Sequence, residues 1–175
     1  MPSPTLAGLR LEQRLVVGIA ELVVANNPAL TLTTFSLGSC VGVTIYDPVT
    51  HVGGLLHAML PTSTISPEKA RTQPGMFLDT GVPALLHSAR QLRLEPSRAI
   101  VCVAGGAQIM DAQGYFNIGR RNLDALAGLL RQLLLRSTAE EVGGTVNRTM
   151  YLKISTGEVR LKTSGQSQET TLWPR

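Results

Sequence analysis

The chain has 175 residues, enough for one domain with a sizeable core, and its 16% charged residues argue against a disordered protein. The net charge of +4 comes without a basic run interleaved with aromatic residues, so nucleic acid is not an expected partner. No apolar stretch reaches the ~18–20 residues of a membrane span, and no secretory signal is evident, so we expect a cytoplasmic protein without membrane insertion.

The first half of the chain is predicted to form strands joined by tight turns. Residues 1–14 contain two prolines and are expected to form a flexible N-terminal arm. Strands are favoured over 15–25 and 31–37, where β-branched residues are frequent. Alternating residues predict two further strands, 41–46 and 52–60, and the Asp-Pro break between them indicates a hairpin.

The second half contains both predicted long helices. Apolar residues recur at helical spacing over 77–92 and 118–135. A buried strand is predicted over 99–104, and another hairpin ends near residue 162. Residues 163–175 are polar and are expected to form a mobile tail. The pattern indicates one α+β domain over 15–162, with mixed or antiparallel sheets packed as a sandwich and the helices outside.

Cys40 is a candidate nucleophile because it follows a glycine at the turn between two predicted strands. Gly38 lets the backbone bend sharply, and N–H groups of such a turn can hold a developing oxyanion. The Gly-Ser-Cys sequence alone is a weak signal, because most cysteines in such domains are small buried hydrophobic residues. Cys102 lies inside a predicted strand and is expected to belong to the core.

A thiol of ordinary pKa needs a base, and His57 is the candidate. It lies in an otherwise apolar strand, so a hydrogen-bonded core histidine is the competing interpretation. Since the hairpin arms follow Cys40 and contain His57, we expect the two side chains to be cross-strand neighbours forming a thiolate–imidazolium pair. His51 and His87 are expected to be exposed. The scattered histidines and two cysteines predict neither a metal site nor a cofactor.

An ordered set of motifs across about residues 16–162 resembles the signature of the CheD family, the chemoreceptor glutamine deamidases of bacterial chemotaxis. The motifs include Leu37-Gly38-Ser39-Cys40-Val41-Gly42-Val43, His57-Ala58-Met59-Leu60-Pro61, Ala104-Gly105-Gly106-Ala107 and Asn117-Ile118-Gly119-Arg120-Arg121-Asn122. Met76 and Ala104 depart from the family pattern at positions that are not catalytic in it. These departures bear on substrate and partner contacts rather than on the chemistry.

The resemblance implies a catalytic set of cysteine, histidine and threonine, which falls on Cys40, His57 and Thr34. It also implies a fold similar to the catalytic domain of cytotoxic necrotizing factor toxins. The implied substrate is a glutamine on the cytoplasmic helices of methyl-accepting chemoreceptors, and a CheC-like phosphatase is an implied partner. We expect hydrolysis through a glutamyl thioester, with a methylesterase side activity because methoxide leaves more readily than an amide anion.

Four further residues are expected to bind the oxyanion or to shape the glutamine pocket: Gly38, Ser39, Gly105 and Gly106. Two other function classes remain open from the residues. A non-catalytic chemotaxis adaptor would keep the fold and bind a receptor or a CheC-like phosphatase. A basic nucleic-acid-binding domain would bind in a strongly salt-dependent way, although the sequence offers no reading element for it.

Overall fold

The computed structural model describes residues 12–109 and 115–174. Over these residues the chain forms ten strands, three α-helices and three short 3₁₀ helices. The strands are β1 Gln13–Val16, β2 Leu22–Ala25, β3 Leu30–Leu37, β4 Val41–Asp47, β5 Val52–Ala58, β6 Ile100–Gly105, β7 Ser137–Val142, β8 Arg148–Lys153, β9 Val159–Thr163 and β10 Thr170–Trp173. The α-helices are α1 Pro67–Thr72, α2 Leu78–Gln91 and α3 Ile118–Gln132, and the 3₁₀ helices are Ser63–Ile65, Pro74–Met76 and Pro96–Arg98.

The strands form two five-stranded mixed sheets. The first sheet has the order β1-β3-β8-β9-β10, in which β1 and β3 are parallel and the other pairs are antiparallel. The second sheet has the order β2-β5-β4-β6-β7, in which only β6 and β7 are parallel. The predicted α+β class with mixed sheets is confirmed, and so is the hairpin of β4 and β5.

Two apolar cores separate the layers of the fold. The inter-sheet core contains side chains from both sheets, among them Leu32, Leu37, Leu55, Met150 and Leu152. The helix core lies between the second sheet and helices α2 and α3, and includes Val43, Leu56, Leu85, Leu126 and Leu130. Strands β4 and β5 are buried along their whole length because each faces both cores. Because both faces of β4 and β5 are buried, the sequences of these strands are almost continuously apolar.

Asp47 fixes the turn of the β4–β5 hairpin. Its carboxylate accepts hydrogen bonds from the Val49 N–H at 2.9 Å, the Glu95 N–H at 3.0 Å, and the Arg98 Nε and Nη2 at 2.7 and 2.8 Å. Burial raises the pKa of Asp47, but the hydrogen bonds from Arg98, Glu95 and Val49 outweigh it and hold the pKa well below its usual value. The charged carboxylate therefore connects the hairpin turn to the segment that precedes β6.

Strands β7 and β10 and the first half of β1 lie where the sequence pattern did not indicate a strand. The single strand expected over 15–25 is wrong, because β1 and β2 are separate strands in different sheets. Strand β1 begins at Gln13, inside the expected N-terminal arm, and pairs with β3. Residues 1–11 of that arm lie outside the described residues. Strand β10 pairs with β9 inside the expected mobile tail, and β7 pairs with β6. These strands are short and largely exposed, so their order comes from backbone pairing with a neighbour rather than from their own apolar pattern.

The two long helices begin and end within a few residues of the predicted boundaries. Helix α2 ends at Gln91 and α3 ends at Gln132. Leu134 falls within the helix predicted over 118–135, but it lies beyond the end of α3, with a φ of 57°, and is 92% exposed. Within the described part of the chain, no helix combines the length and apolar character required to cross a membrane.

Candidate functional site

Cys40 lies where the chain passes from one sheet to the other. Strand β3 ends in the first sheet at Leu37, and β4 begins in the second sheet at Val41. A bulge after Thr34 bends β3, with Ser36 at a φ of 58°. We call residues 38–40 the crossover loop. Its position leaves the thiol half-buried at the border of the inter-sheet core.

All three carbonyls of the crossover loop are held from the side of the second sheet and α3. The donors are the Ala107 N–H to Gly38 at 2.8 Å, Asn122 Nδ2 to Ser39 at 2.9 Å, and the Gly106 N–H to Cys40 at 2.8 Å. In a trans peptide the N–H points away from the carbonyl of the same peptide group. The N–H groups of Ser39 and Cys40 therefore point away from these donors. Among the described residues, neither N–H donates to an oxygen.

Gly105 and Gly106 form the turn directly behind Cys40. Gly105 has a φ of 106°, and a Cβ there would overlap the carbonyl oxygen of Cys40. Only glycine satisfies both the backbone conformation and the close approach. The N–H of Gly106 is already bound to the Cys40 carbonyl, and that of Gly38 to the Ser36 carbonyl at 2.9 Å. These glycines shape the loop, whereas the N–H groups of Ser39 and Cys40 donate to no oxygen among the described residues.

His57 is completely buried in β5, and Thr34 of the opposite sheet contacts its ring. The Thr34 Oγ1 lies 2.7 Å from His57 Nδ1 and donates to the Val17 carbonyl at 2.8 Å. A hydroxyl has one hydrogen, so toward Nδ1 the Thr34 oxygen can only accept. The neutral ring therefore carries its proton on Nδ1. Nε2 is left as the basic nitrogen, and it has no partner among the described residues.

Burial keeps both members of the expected pair neutral. It lowers the pKa of His57 to about 4. Burial also raises the pKa of the Cys40 thiol, against a smaller lowering by its own backbone N–H. These directions favour a neutral thiol beside a neutral imidazole, rather than the preformed thiolate–imidazolium pair expected from the sequence. The inter-sheet core lacks the polarity that a resting ion pair would need.

Cys40 and His57 are diagonal neighbours across the β4–β5 hairpin. Gly42 pairs with His57 and Val41 with Ala58, so Cys40 lies two residues from the position opposite His57. Side chains two residues apart share a face, and Cys40 packs against the inter-sheet core that His57 enters. Diagonal partners of this kind lie about 7–8 Å apart between Cα atoms, within reach of long or aromatic side chains. The expected cross-strand relation is thus diagonal, and within the described part of the chain no hydrogen bond joins Cys40 to His57.

A pocket of about 220 Å³ opens beside the crossover loop. It is smaller than the ~300–1,000 Å³ typical of pockets for drug-sized ligands, which suits a single amino-acid side chain. Among the described residues, its lining includes Ser39, Ala107, Gln108, Ile109, Phe116, Ile118 and Gly119. Of the predicted site residues, Ser39 is among the described residues of this lining, whereas Thr34, Cys40 and His57 are not. The described residues bring no three metal-ligating side chains together.

Asn122 is the site residue to which the sequence reasoning assigned no role. It is completely buried on α3, on the same face as Gly119, Leu126 and Leu130. Its Nδ2 binds the Ser39 carbonyl of the crossover loop. A polar residue on the apolar face of an amphipathic helix was the signal that could have identified it.

Comparison with known proteins decides the family. A family model described as CheD chemotactic sensory transduction matches residues 59–163. A probable chemoreceptor glutamine deamidase CheD from Solibacter usitatus is 42% identical over 157 residues, covering 90% of this chain and 93% of that protein. A namesake from Desulforamulus reducens is 45% identical over 152 residues, covering 85% and 90%. The chain belongs to the CheD family.

The expected CheD resemblance is therefore confirmed. The family model begins after His57, but the longer alignments extend further towards the N-terminus. Because the Solibacter CheD protein aligns with 157 of the 175 residues, at most 18 residues of the chain lie outside that alignment. The aligned CheD segment thus includes Thr34, Cys40 and His57.

Proposed function

We propose that this CheD protein hydrolyses the side-chain amide of chemoreceptor glutamines, giving glutamate and ammonia. The names of its relatives, probable chemoreceptor glutamine deamidases, support receptor glutamine as the substrate. The observation that carries the proposal is the state of His57. Its Nδ1–H is bound to Thr34 of the opposite sheet, its Nε2 has no partner among the described residues, and Cys40 packs against the same inter-sheet core.

The first step is attack by the Cys40 sulfur on the amide carbon. His57 Nε2 accepts the thiol proton as the C–S bond forms, and the carbonyl π electrons move to the oxygen. Because burial raises the thiol pKa and lowers the imidazole pKa, this transfer accompanies the attack rather than preceding it. Thr34 holds the ring and its tautomer through Nδ1, with less electrostatic leverage than a carboxylate has.

The N–H groups of Ser39 and Cys40 are the proposed donors to the oxyanion. Both belong to peptide groups whose carbonyls are held on the opposite side, and neither is used by another oxygen among the described residues. An oxyanion donor contributes about 3 kcal/mol to transition-state stabilisation. The pocket beside Ser39 would take the aliphatic part of the glutamine side chain.

The second step releases ammonia and then glutamate. The imidazolium of His57 protonates the leaving nitrogen, the C–N bond breaks, and a glutamyl thioester remains on Cys40. His57, neutral again, removes a proton from water as the water oxygen attacks the thioester carbon. The C–S bond breaks, and the proton returns to the sulfur. The same steps would hydrolyse a glutamyl methyl ester, so a methylesterase side activity is part of the proposal.

The proposal also extends to partners and location. Ile109 and Phe116 line the pocket and are 38% and 72% exposed, so they can contact a receptor helix around the target glutamine. Action on the cytoplasmic helices of receptors requires a cytoplasmic protein. A CheC-like phosphatase as a second partner, and a fold similar to the catalytic domain of cytotoxic necrotizing factor toxins, rest on the family resemblance.

Mass spectrometry of a receptor cytoplasmic fragment tests the proposal. The wild-type protein should convert glutamine to glutamate, and Cys40→Ala should not. Cys102→Ala is the matched control, because this completely buried cysteine belongs to the inter-sheet core and should tolerate the same change with activity retained. Conversion by Cys40→Ala would exclude Cys40 as the nucleophile.

A non-catalytic adaptor is the second candidate, and the raised thiol pKa of Cys40 favours it. An adaptor would bind the receptor fragment with equal affinity in wild-type and Cys40→Ala forms and would leave every glutamine unchanged. Measuring binding and conversion on the same fragment separates the two functions.

A further inference from the structure

We infer that Asn122 is a positioning residue that orients the oxyanion-binding N–H of Cys40, an inference that rests on the proposed function. Asn122 is completely buried on α3 and is separated from the crossover loop by 83 positions in the chain. Nδ2 donates to the Ser39 carbonyl at 2.9 Å and to the Met59 carbonyl at 2.9 Å. Both partners are acceptors, so only the NH₂ group can face them, and both of its hydrogens are used.

The contact to Ser39 controls the N–H of the next residue. The Ser39 carbonyl and the Cys40 N–H belong to one planar peptide group and point in opposite directions. Holding the carbonyl from α3 therefore keeps the N–H directed away from α3 and prevents rotation of the peptide. Hydrogen bonding at the carbonyl also polarises the peptide and strengthens its N–H as a donor.

The contact to Met59 joins the crossover loop to the strand that carries His57. Met59 follows the end of β5 and lies two residues beyond His57. One amide group therefore ties the segment before Cys40 to the segment after His57.

Helix α3 is a rigid support for this amide. A Cβ on Gly119 would lie 2.5 Å from the Gly106 carbonyl oxygen, so the start of α3 packs directly on the turn behind Cys40. Leu126 and Leu130 anchor the rest of the helix in the helix core.

The Oδ1 of Asn122 indicates that stability is not the whole role of this residue. It is buried and has no hydrogen-bond partner among the described residues. An unpartnered buried acceptor is destabilising, whereas an apolar residue would satisfy the helix core at this position. The two donor contacts to the site account for an asparagine here.

The main test is Asn122→Leu, which keeps the size of the side chain and removes both donors. We expect kcat for deamidation to fall by about 10- to 100-fold with KM unchanged, because the oxyanion exists only near the transition state. Alkylation of Cys40 by iodoacetamide should keep its rate, since displacement at a saturated carbon forms no oxyanion. Leu130→Ala is the control on the same helix: it should lower the unfolding temperature and leave kcat per folded molecule unchanged.

A spectroscopic readout separates this inference from the proposed function. The chain has two cysteines, so protein labelled with ¹⁵N-cysteine gives two amide signals. Asn122→Leu should shift the Cys40 signal and leave the Cys102 signal in place. A wild-type kcat together with an unshifted Cys40 signal would overturn the inference. Inactive wild-type protein would refute the proposed function, while the Cys40 signal would still decide whether Asn122 controls the peptide. If Asn122→Leu does not fold, Asn122→Ala, which also removes both donors, replaces it in both measurements.

Discussion

Replacement of Thr34 by valine should slow deamidation by deleting one oxygen from the site. The change keeps the branched shape of a completely buried side chain. It removes the acceptor of the His57 Nδ1–H and the donor to the Val17 carbonyl. With no acceptor at Nδ1, the proton of the neutral ring is free to move to Nε2, and a ring protonated there cannot accept the thiol proton.

The magnitude follows from the buried hydrogen bond. A buried donor left without a partner costs about 1–3 kcal/mol. If this cost is felt by the active tautomer in the transition state, the rate falls by about 5- to 150-fold, because about 1.4 kcal/mol corresponds to a factor of ten. Thr34→Ser keeps the hydroxyl and should recover most of the lost rate.

The neighbouring residue on the same strand supplies a matched control. Thr33 is also completely buried, but its Oγ1 has no hydrogen-bond partner among the described residues. Thr33→Val therefore makes the same chemical change without removing a contact, and should leave the rate unchanged and the stability equal or higher.

Ammonia release from a receptor fragment at saturating concentration measures the rate, and thermal unfolding gives the folded fraction for each variant. Equal rates per folded molecule for Thr34→Val and wild type would refute the assigned tautomer of His57. Equal losses in Thr33→Val and Thr34→Val would attribute the effect to the strand rather than to the imidazole.

Three further predictions concern stability and the turn behind the thiol. The free energy of unfolding should fall by about 3 kcal/mol as the pH decreases from 6.5 towards 4. His57 binds a proton in the unfolded chain over this range, whereas burial lowers the pKa of the folded ring to about 4. Unfolding measured as a function of pH should show no such slope in His57→Gln, and a retained slope would contradict this prediction. Gly105→Ala should abolish deamidation because the new methyl group overlaps the Cys40 carbonyl. Gly143 also has a positive φ, of 74°, but nothing lies within 4 Å of an added Cβ, so Gly143→Ala should introduce only backbone strain and keep kcat. Equal activities of the two variants would contradict the packing behind the thiol. Asp47→Asn should lower the free energy of unfolding by about 3 kcal/mol, because the charged acceptor of the hairpin turn is lost. Urea-induced unfolding measures this change, and a decrease below about 1 kcal/mol would show that the carboxylate does not hold the turn.

Local patterns in the sequence were sufficient to predict the β4–β5 hairpin and the two long helices. Alternation over 41–46 and the Asp-Pro turn determine which residues pair, and helical spacing determines the apolar face of α3. The adjacent hairpin arms also led to the prediction that Cys40 and His57 are cross-strand neighbours, a relation that the register makes diagonal. These predictions depend on interactions between residues close in the chain.

The local sequence pattern did not predict strands β7 and β10 or the first half of β1. Their side chains are largely exposed, so the sequence lacks the alternation that marks a half-buried strand. Each is ordered by pairing with a strand that the sequence did predict, namely β3, β6 or β9. Such pairing is a property of the assembled sheets.

The sequence by itself therefore determined the family motifs, the α+β pattern and the candidate thiol and base. The contacts and the protonation states of the thiol and the base were decided only by the tertiary structure. Thr34 meets His57 because two sheets pack face to face, and Asn122 meets Ser39 because α3 returns across 83 positions of chain. The neutral state of the thiol and the imidazole also comes from the complete fold, since desolvation depends on every layer that excludes water from the inter-sheet core.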